Sequence, residues 1–239
     1  MKQLTILGLC TVVTFMVSCN NEPAKEETKA ADTTAAVTTP AAEVKPPFSP
    51  FKVTGIVAMV KNFDKWRDQY FADDSLRKSY GITHVSLARD LKDSNKIYVL
   101  DKIEDMDKTK AFSKLPNLKE AGKASTVKGT LGFSYAEMIR SDETPVETVY
   151  GLGVAHHVKD FNTWLKAFDA EGPASRANYG VVARSLSRSL VDSNMIYITF
   201  AITDTAKARA RMKSPDLKKI MDSSGVDSPP TVRWYRMVK

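Results

Sequence analysis

The stretch DSNKIYVL, residues 93–100, returns further along the chain as DSNMIYIT, residues 192–199. Asp, Ser and Asn are turn residues, because their short polar side chains hydrogen-bond to nearby backbone and tolerate tight geometry. The Ile-Tyr pair behind them opens a β-branched and aromatic run that suits a returning strand. Outward from these hairpins the correspondence keeps one register. Gly55, Val60, Lys61, Phe63 and Trp66 fall on Gly153, Val158, Lys159, Phe161 and Trp164. After one inserted residue, Arg77, Tyr80, Gly81, Leu87, Arg89 and Leu91 fall on Arg176, Tyr179, Gly180, Leu186, Arg188 and Leu190. Lys114, Pro116, Leu118, Val127 and Met138 then fall on Lys213, Pro215, Leu217, Val226 and Met237. Two copies of one structural unit are expected, at residues 51–141 and 146–239, joined through SDETPVE.

Within a unit, VTGIVAMV and its counterpart YGLGVAHHV are short, apolar and β-branched, and read as strands. Asn62 or Asp160 can cap a following helix, in which Phe63, Trp66 and Tyr70, or Phe161, Trp164 and Phe168, recur at helical spacing. The two tryptophans are therefore expected in the core. Tyr80-Gly81 and Tyr179-Gly180 end this helix, and the two arms of the Asp-Ser-Asn hairpin follow. A second helical segment carries Pro116 or Pro215 in a first-turn position, and TLGFSYAEMI or TVRWYRMV closes the unit as a strand. The order strand, helix, strand, strand, helix, strand is the ferredoxin-like split βαβ pattern. The expected fold class is α+β: two tandem ferredoxin-like repeats whose bare sheet faces cover each other, an intrachain dimeric α/β barrel that is monomeric as an internal pseudo-dimer.

Upstream of the repeats the chain changes character. Leu4 to Val17 form an apolar run behind Lys2, too short for a spanning helix and closed by Ser18 and Cys19, which reads as a signal peptide over residues 1–18. The tetrad MVSC resembles a bacterial lipobox, and the resemblance implies that Cys19 is lipidated and becomes the first residue of the mature chain. Residues 19–50 are rich in Ala, Thr, Glu, Lys and Pro, with almost nothing large and apolar to offset chain entropy. They read as a flexible tether, stiffened at its end by Pro46, Pro47 and Pro50. The expected location is the cell envelope, periplasmic and anchored to a bacterial membrane, the outer membrane in particular. Only Cys10 and Cys19 are present, so the body has no thiol for a disulfide, a metal or a covalent intermediate.

The second unit, with HHVKDFNTWLKAFDAEGPASRANYGVVARSLSR, then DSNMIYITF, then ARARMKSPDLKKIMDSSGVDSPPTVRW, resembles single-domain proteins of the dimeric α/β barrel superfamily, of the antibiotic-biosynthesis monooxygenase type. The first unit shares the resemblance more faintly, with Met59 where the second has His157. The resemblance implies a barrel with a central pocket. It does not imply a reaction, since one fold carries many.

The body holds three histidines: His84, His156 and His157. Neighbours on a strand point to opposite faces. Leu152, Val154 and His156 are the more aliphatic set and are expected under the helices; Gly153, Ala155 and His157 share the other face, where small residues leave room for a ligand. His157 is thus the candidate catalytic residue, the alternative being that it caps a strand end in solvent. Arg184 and Arg188 are candidate ligand contacts on one face of the strand Val181–Leu190, with Ser185 on the other. Tyr197 completes the ligand-binding set. Arg188 and Tyr197 are matched by Arg89 and Tyr98, which favours a duty shared by both halves; a pocket arginine would suit a carboxylate or phenolate.

Glycine-rich phosphate loops, GxSxG elbows and metal-ligand spacings are missing, so no metal is expected. The formal charge of +7 is spread along helix faces such as KARARMK, and nucleic acid is not an expected partner. Three functions follow as expectations. The first is a lipid-anchored protein that binds a small apolar or aromatic molecule without a cofactor. The second is a cofactor-free monooxygenase or isomerase with His157 as base. The third is a haem-binding protein with His157 as axial ligand.

Overall fold

Residues 48–116 and 127–238 are described by the structure, a computed structural model. The segment read as signal peptide, Cys19 and most of the tether lie outside the described residues. All described residues fall within one compact unit, Pro46–Lys239.

The first half runs β1 (Phe51–Val60), α1 (Phe63–Ala72), α2 (Asp74–Ser79), β2 (Ile82–Asp90), β3 (Lys96–Ile103), α3 (Met106–Phe112) and β4 (Val127–Ser141). The second runs β5 (Tyr150–His157), α4 (Phe161–Asn178), β6 (Val181–Ser189), β7 (Met195–Ile202), α5 (Thr205–Met212), α6 (Pro215–Ser223) and β8 (Thr231–Met237). Each half orders its strands with the first beside the third and the fourth, as a ferredoxin-like unit does. The edges then pair between halves: Ala88 opposite Met237 joins β2 to β8, and Ala136 opposite Ser189 joins β4 to β6. The result is a closed barrel, β1-β3-β2-β8-β5-β7-β6-β4, which leaves no strand edge exposed to pair with another chain.

The expected caps form. Asn62 accepts from the Lys65 N–H at 2.9 Å and Asp160 from the Thr163 N–H at 2.8 Å, each satisfying a free donor of the first helical turn. Gly81 and Gly180 take φ of 70° and 68° at the ends of α2 and α4, a backbone only glycine adopts cheaply. The long helix read between cap and glycine is interrupted in both halves. In the first it divides at Asp73; in the second Gly172 leaves helical geometry at φ 71° and Pro173 follows, with no N–H to continue the ladder. Arg77 and Arg176 brace the break by donating to the carbonyls of Tyr70 and Phe168.

The repeated hairpin now has its physical explanation. Asp93 and Asp192 accept from the N–H of Asn95 and Asn194 at 2.9 and 3.0 Å, closing the turn. The carbonyls of Ser94 and Ser193 accept from Nε of Arg89 and Arg188. Those of Asn95 and Asn194 accept from the N–H of Val60 and Val158, so the turn also holds the end of the neighbouring strand. Behind it, Ile97 and Ile196 are fully buried.

Apolar packing divides into two layers. Under the helices of the second half lie Leu152, Val154, Phe161, Trp164, Ile198 and Phe200; the first half has a smaller cluster around Val60, Phe63, Leu87, Ile97 and Val99. Inside the barrel, Val53, Ala136 and Met138 meet Leu100 and Tyr197. On the same face the ring of Tyr235 stands where a Cβ on Gly151 would be, whereas Gly153 is only in ordinary contact with it and, like Ala155, stays partly exposed.

Gly151→Ala is therefore expected to destabilise the fold by roughly 1–3 kcal/mol through overpacking. In a chemical-denaturation cycle, the double variant Gly151→Ala with Tyr235→Leu should cost less than the two single changes added together.

Candidate functional site

The residues read as candidates from sequence separate in space. Ser185 and Tyr197 face the barrel interior, where Ser185 Oγ shares a 2.5 Å hydrogen bond with Thr199 and Tyr197 packs on the Val53 cluster. Arg184 is the extra residue of a bulge between Ala183 and Ser185, which breaks the alternation that would have put it on the face of Arg188. It donates to the Thr144 carbonyl at 2.6 Å. Arg188 lies outside the barrel over the Phe161 ring, as Arg89 lies over Phe63, so the pair has one duty in both halves. His157 sits at the end of β5: Nδ1 is 2.6 Å from Asp227 and Nε2 is 3.5 Å from Asp192. Among the described residues no group of His, Cys, Asp and Glu could hold a metal ion.

A partly open cavity lies between the sheet and the helices of the second half. Leu152, Val154 and Ile198 form its floor, Trp164 and Phe168 of α4 one wall, and Met212 and Met221 another. Its volume is about 100 Å³, somewhat smaller than an engineered protein cavity that holds benzene. The methionine wall is the adaptable part, since Met has three rotatable bonds. A groove of about 740 Å³ beside Arg184 shares Phe168 and Arg176 with the cavity, so the side chains of Phe168 and Arg176 lie between the two.

Two side chains lining this cavity have buried polar atoms without a hydrogen-bond partner: Arg176, at Nε, and His156, whose whole imidazole is unpaired. His156 is 4% exposed, meets Trp164 edge to face at 5.5 Å, and neither ring nitrogen has a hydrogen-bond partner. A neutral imidazole carries one donor and one acceptor, and each costs about 1–3 kcal/mol when buried unpaired. Desolvation lowers its pKa from 6.5 to about 4, so it is uncharged at neutral pH. Its counterpart in the first half is Ala58, and a polar residue replacing alanine on a helix-facing strand position was the clue available in the sequence.

The first half carries a polar network at the matching positions of its sheet and first helix. Tyr70 donates to Asp101 at 2.7 Å, and His84 Nδ1 lies 2.8 Å from the Tyr70 hydroxyl and 3.2 Å from Asp101. Asp101 is 1% exposed, and this closed network takes the places of Phe168, Ala183 and Phe200. These three groups satisfy one another, and the Arg77 Nε left unpartnered in the first half has its match in Arg176 Nε of the second; the open imidazole of His156 has none. A haem does not suit the second site as it stands. Both His157 nitrogens are engaged with carboxylates, and the space before His156 is far below the several hundred Å³ that even drug-sized ligands occupy.

The adjacent histidines should titrate in opposite directions. The hydrogen bond to Asp227, with the charges of Asp227 and Asp192, raises His157 above 6.5, so that pair stabilises the fold at low pH and its contribution fades as pH rises through the raised value. His156 behaves inversely. Between pH 6.5 and about 4 only the unfolded chain binds its proton, so stability falls as pH falls, by about 3 kcal/mol across the window. Histidine-selective NMR should show one imidazole still neutral at pH 5, and His156→Phe should flatten the acid limb of the stability profile.

No protein-family model matches the chain, and no curated protein matches it. Solved structures do. A putative monooxygenase from Fusobacterium nucleatum is 12% identical over 80% of this chain and 93% of its own, with a TM-score of 0.52. An anthrone oxidase-like protein is 12% identical over 79% and 92%, with a TM-score of 0.55. At such identity the likeness is one of fold. The chain has the dimeric α/β-barrel architecture of the ferredoxin-fold, monooxygenase-like proteins, closed within a single polypeptide.

Proposed function

We propose that the protein is an exported, lipid-anchored binding protein whose second half takes a small apolar or aromatic molecule between its sheet and its helices. The observation that carries this reading is His156, a buried imidazole with two unused hydrogen-bonding nitrogens at a mostly apolar cavity. An apolar enclosure with one polar group to fix orientation is the general form of a small-molecule site. An occupant with a hydroxyl or ring N–H would satisfy His156, and its body would displace no charged side chain from the floor. The fold is shared with proteins described as monooxygenase and anthrone oxidase-like, which accords with a small organic occupant.

A cofactor-free oxygenase or isomerase is the second reading, with His156 taking the place that sequence reasoning gave to His157. A base works best with a pKa near the working pH, and a value of about 4 leaves little drive for proton abstraction at neutrality. Binding is favoured on that ground. The anchor belongs to the proposal through the MVSC tetrad and the tether-like composition of residues 19–50.

Phenol titrated into the protein should shift the NMR signals of Val154, Trp164 and Ile198, and His156→Phe should weaken it about tenfold or more, the loss of one buried hydrogen bond and its space. Equal binding to both proteins, or shifts confined to Tyr197 and Tyr235 in the barrel, would remove the reading. For the anchor, mass spectrometry of the protein from its native membrane should find a diacyl or triacyl Cys19, and Cys19→Ser should release the chain from the membrane fraction.

A further inference from the structure

In the lining of the same cavity, two guanidinium groups share one carboxylate. Arg176 Nη1 lies 3.3 Å from one oxygen of Glu171 and Arg211 Nη2 lies 2.9 Å from the other. Both arginines are at least nine-tenths buried, and all three residues line the cavity. The next carboxylate, Asp169, is already engaged by both terminal nitrogens of Arg140 at 2.5 and 2.9 Å. Asp169 also feels the charge of Arg176, so among these described residues the three guanidinium groups of Arg140, Arg176 and Arg211 face two carboxylates, an excess of one positive charge beside mostly apolar side chains. The rings of Phe168 and Tyr179, 4.1 and 4.3 Å from the two guanidinium carbons, face that charge, but a ring quadrupole offsets only part of the cost of burying it.

Comparison of the halves shows which residue is responsible. Arg176 has a counterpart in Arg77, which also reaches a helix carbonyl, also lies over a ring and also leaves its Nε unpartnered; these features belong to the shared helix break. Arg77 pairs with Asp74, and Lys78 on the same carboxylate is exposed. Arg211 has no such counterpart. Its place is held by Phe112, whose ring meets Tyr80 at 5.5 Å, as the Arg211 guanidinium meets Tyr179. Packing on the tyrosine is thus met by an aromatic residue in one half. The arginine in the other adds a buried charge, in the half that also has the cavity and the open imidazole.

We infer that the ligand of the second half is a small ring compound bearing a single negative charge, a carboxylate or phenolate, held by Arg211 with Arg176, while Glu171 keeps the pair fixed in the empty protein. This rests on the proposed binding reading and specifies its ligand class. A planar anion matches the guanidinium fork through paired hydrogen bonds, and in a site shielded from water the charge discriminates strongly between an anion and a neutral molecule of equal shape.

Benzoate and benzyl alcohol differ mainly in charge and separate the alternatives. By calorimetry on the full chain, benzoate should bind at least about tenfold more tightly than benzyl alcohol at neutral pH. Arg211→Gln should abolish that preference, lowering benzoate affinity about tenfold or more, to the level of benzyl alcohol. Glu171→Gln should raise benzoate affinity by freeing the second guanidinium, an opposite effect that loss of folding cannot mimic. Binding of benzyl alcohol as tight as that of benzoate would overturn the charge assignment and leave the cavity reading intact. Failure of both to bind, with the variants folded as judged by thermal unfolding, would overturn the two together.

Discussion

A four-stranded sheet covered by helices on one side has two unpaired edges and one apolar face, and every other feature here follows from how these are closed. Each half supplies the edges the other lacks, β2 to β8 and β4 to β6, so all eight strands join one hydrogen-bonded ring. Closure also dictates what fills the interior. Tyr235 stands over Gly151, and Val53, Ala136 and Met138 pack with Tyr197, so part of the lumen is filled by protein side chains. A pocket also lies on the outer side of the sheet, under the helices of the second half.

There the halves part company. The first builds a polar network in which Tyr70, Asp101 and His84 satisfy one another. The second replaces those positions by Phe168, Phe200 and Ala183, and introduces His156 and Arg211 where the first has Ala58 and Phe112. The scaffold contacts are common to both: the turn carbonyls held by Arg89 and Arg188, and the helix breaks braced by Arg77 and Arg176. Residues that coincide between halves hold the fold, and residues that differ beneath the helices define the candidate site.

Much of the architecture was legible because local chemistry and the repeat point the same way. Asp-Ser-Asn specifies a turn by its own hydrogen bonds, Asn62 and Asp160 cap by theirs, and the spacing of Phe161, Trp164 and Phe168 sets the buried stripe of α4. The position of His156 under the helices also followed from strand parity. Arg184 did not follow, because a bulge adds a residue to one strand only and its pairing partner lies elsewhere in the chain. The helix break was hidden too, except for the Gly172-Pro173 pair.

The sequence by itself determined two ferredoxin-like units in tandem, their hairpins, caps and helix-facing residues, since these depend on period, turn chemistry and internal repetition. Only the tertiary structure decided where the empty volume lies. A glycine-lined face reads as open until the side chain that covers it is known, and Tyr235 reaches Gly151 from a strand at the opposite end of the same half. The pairing of Arg176 and Arg211 with one Glu171 likewise joins residues from two helices, and the charge left over is a property of their meeting rather than of any single stretch.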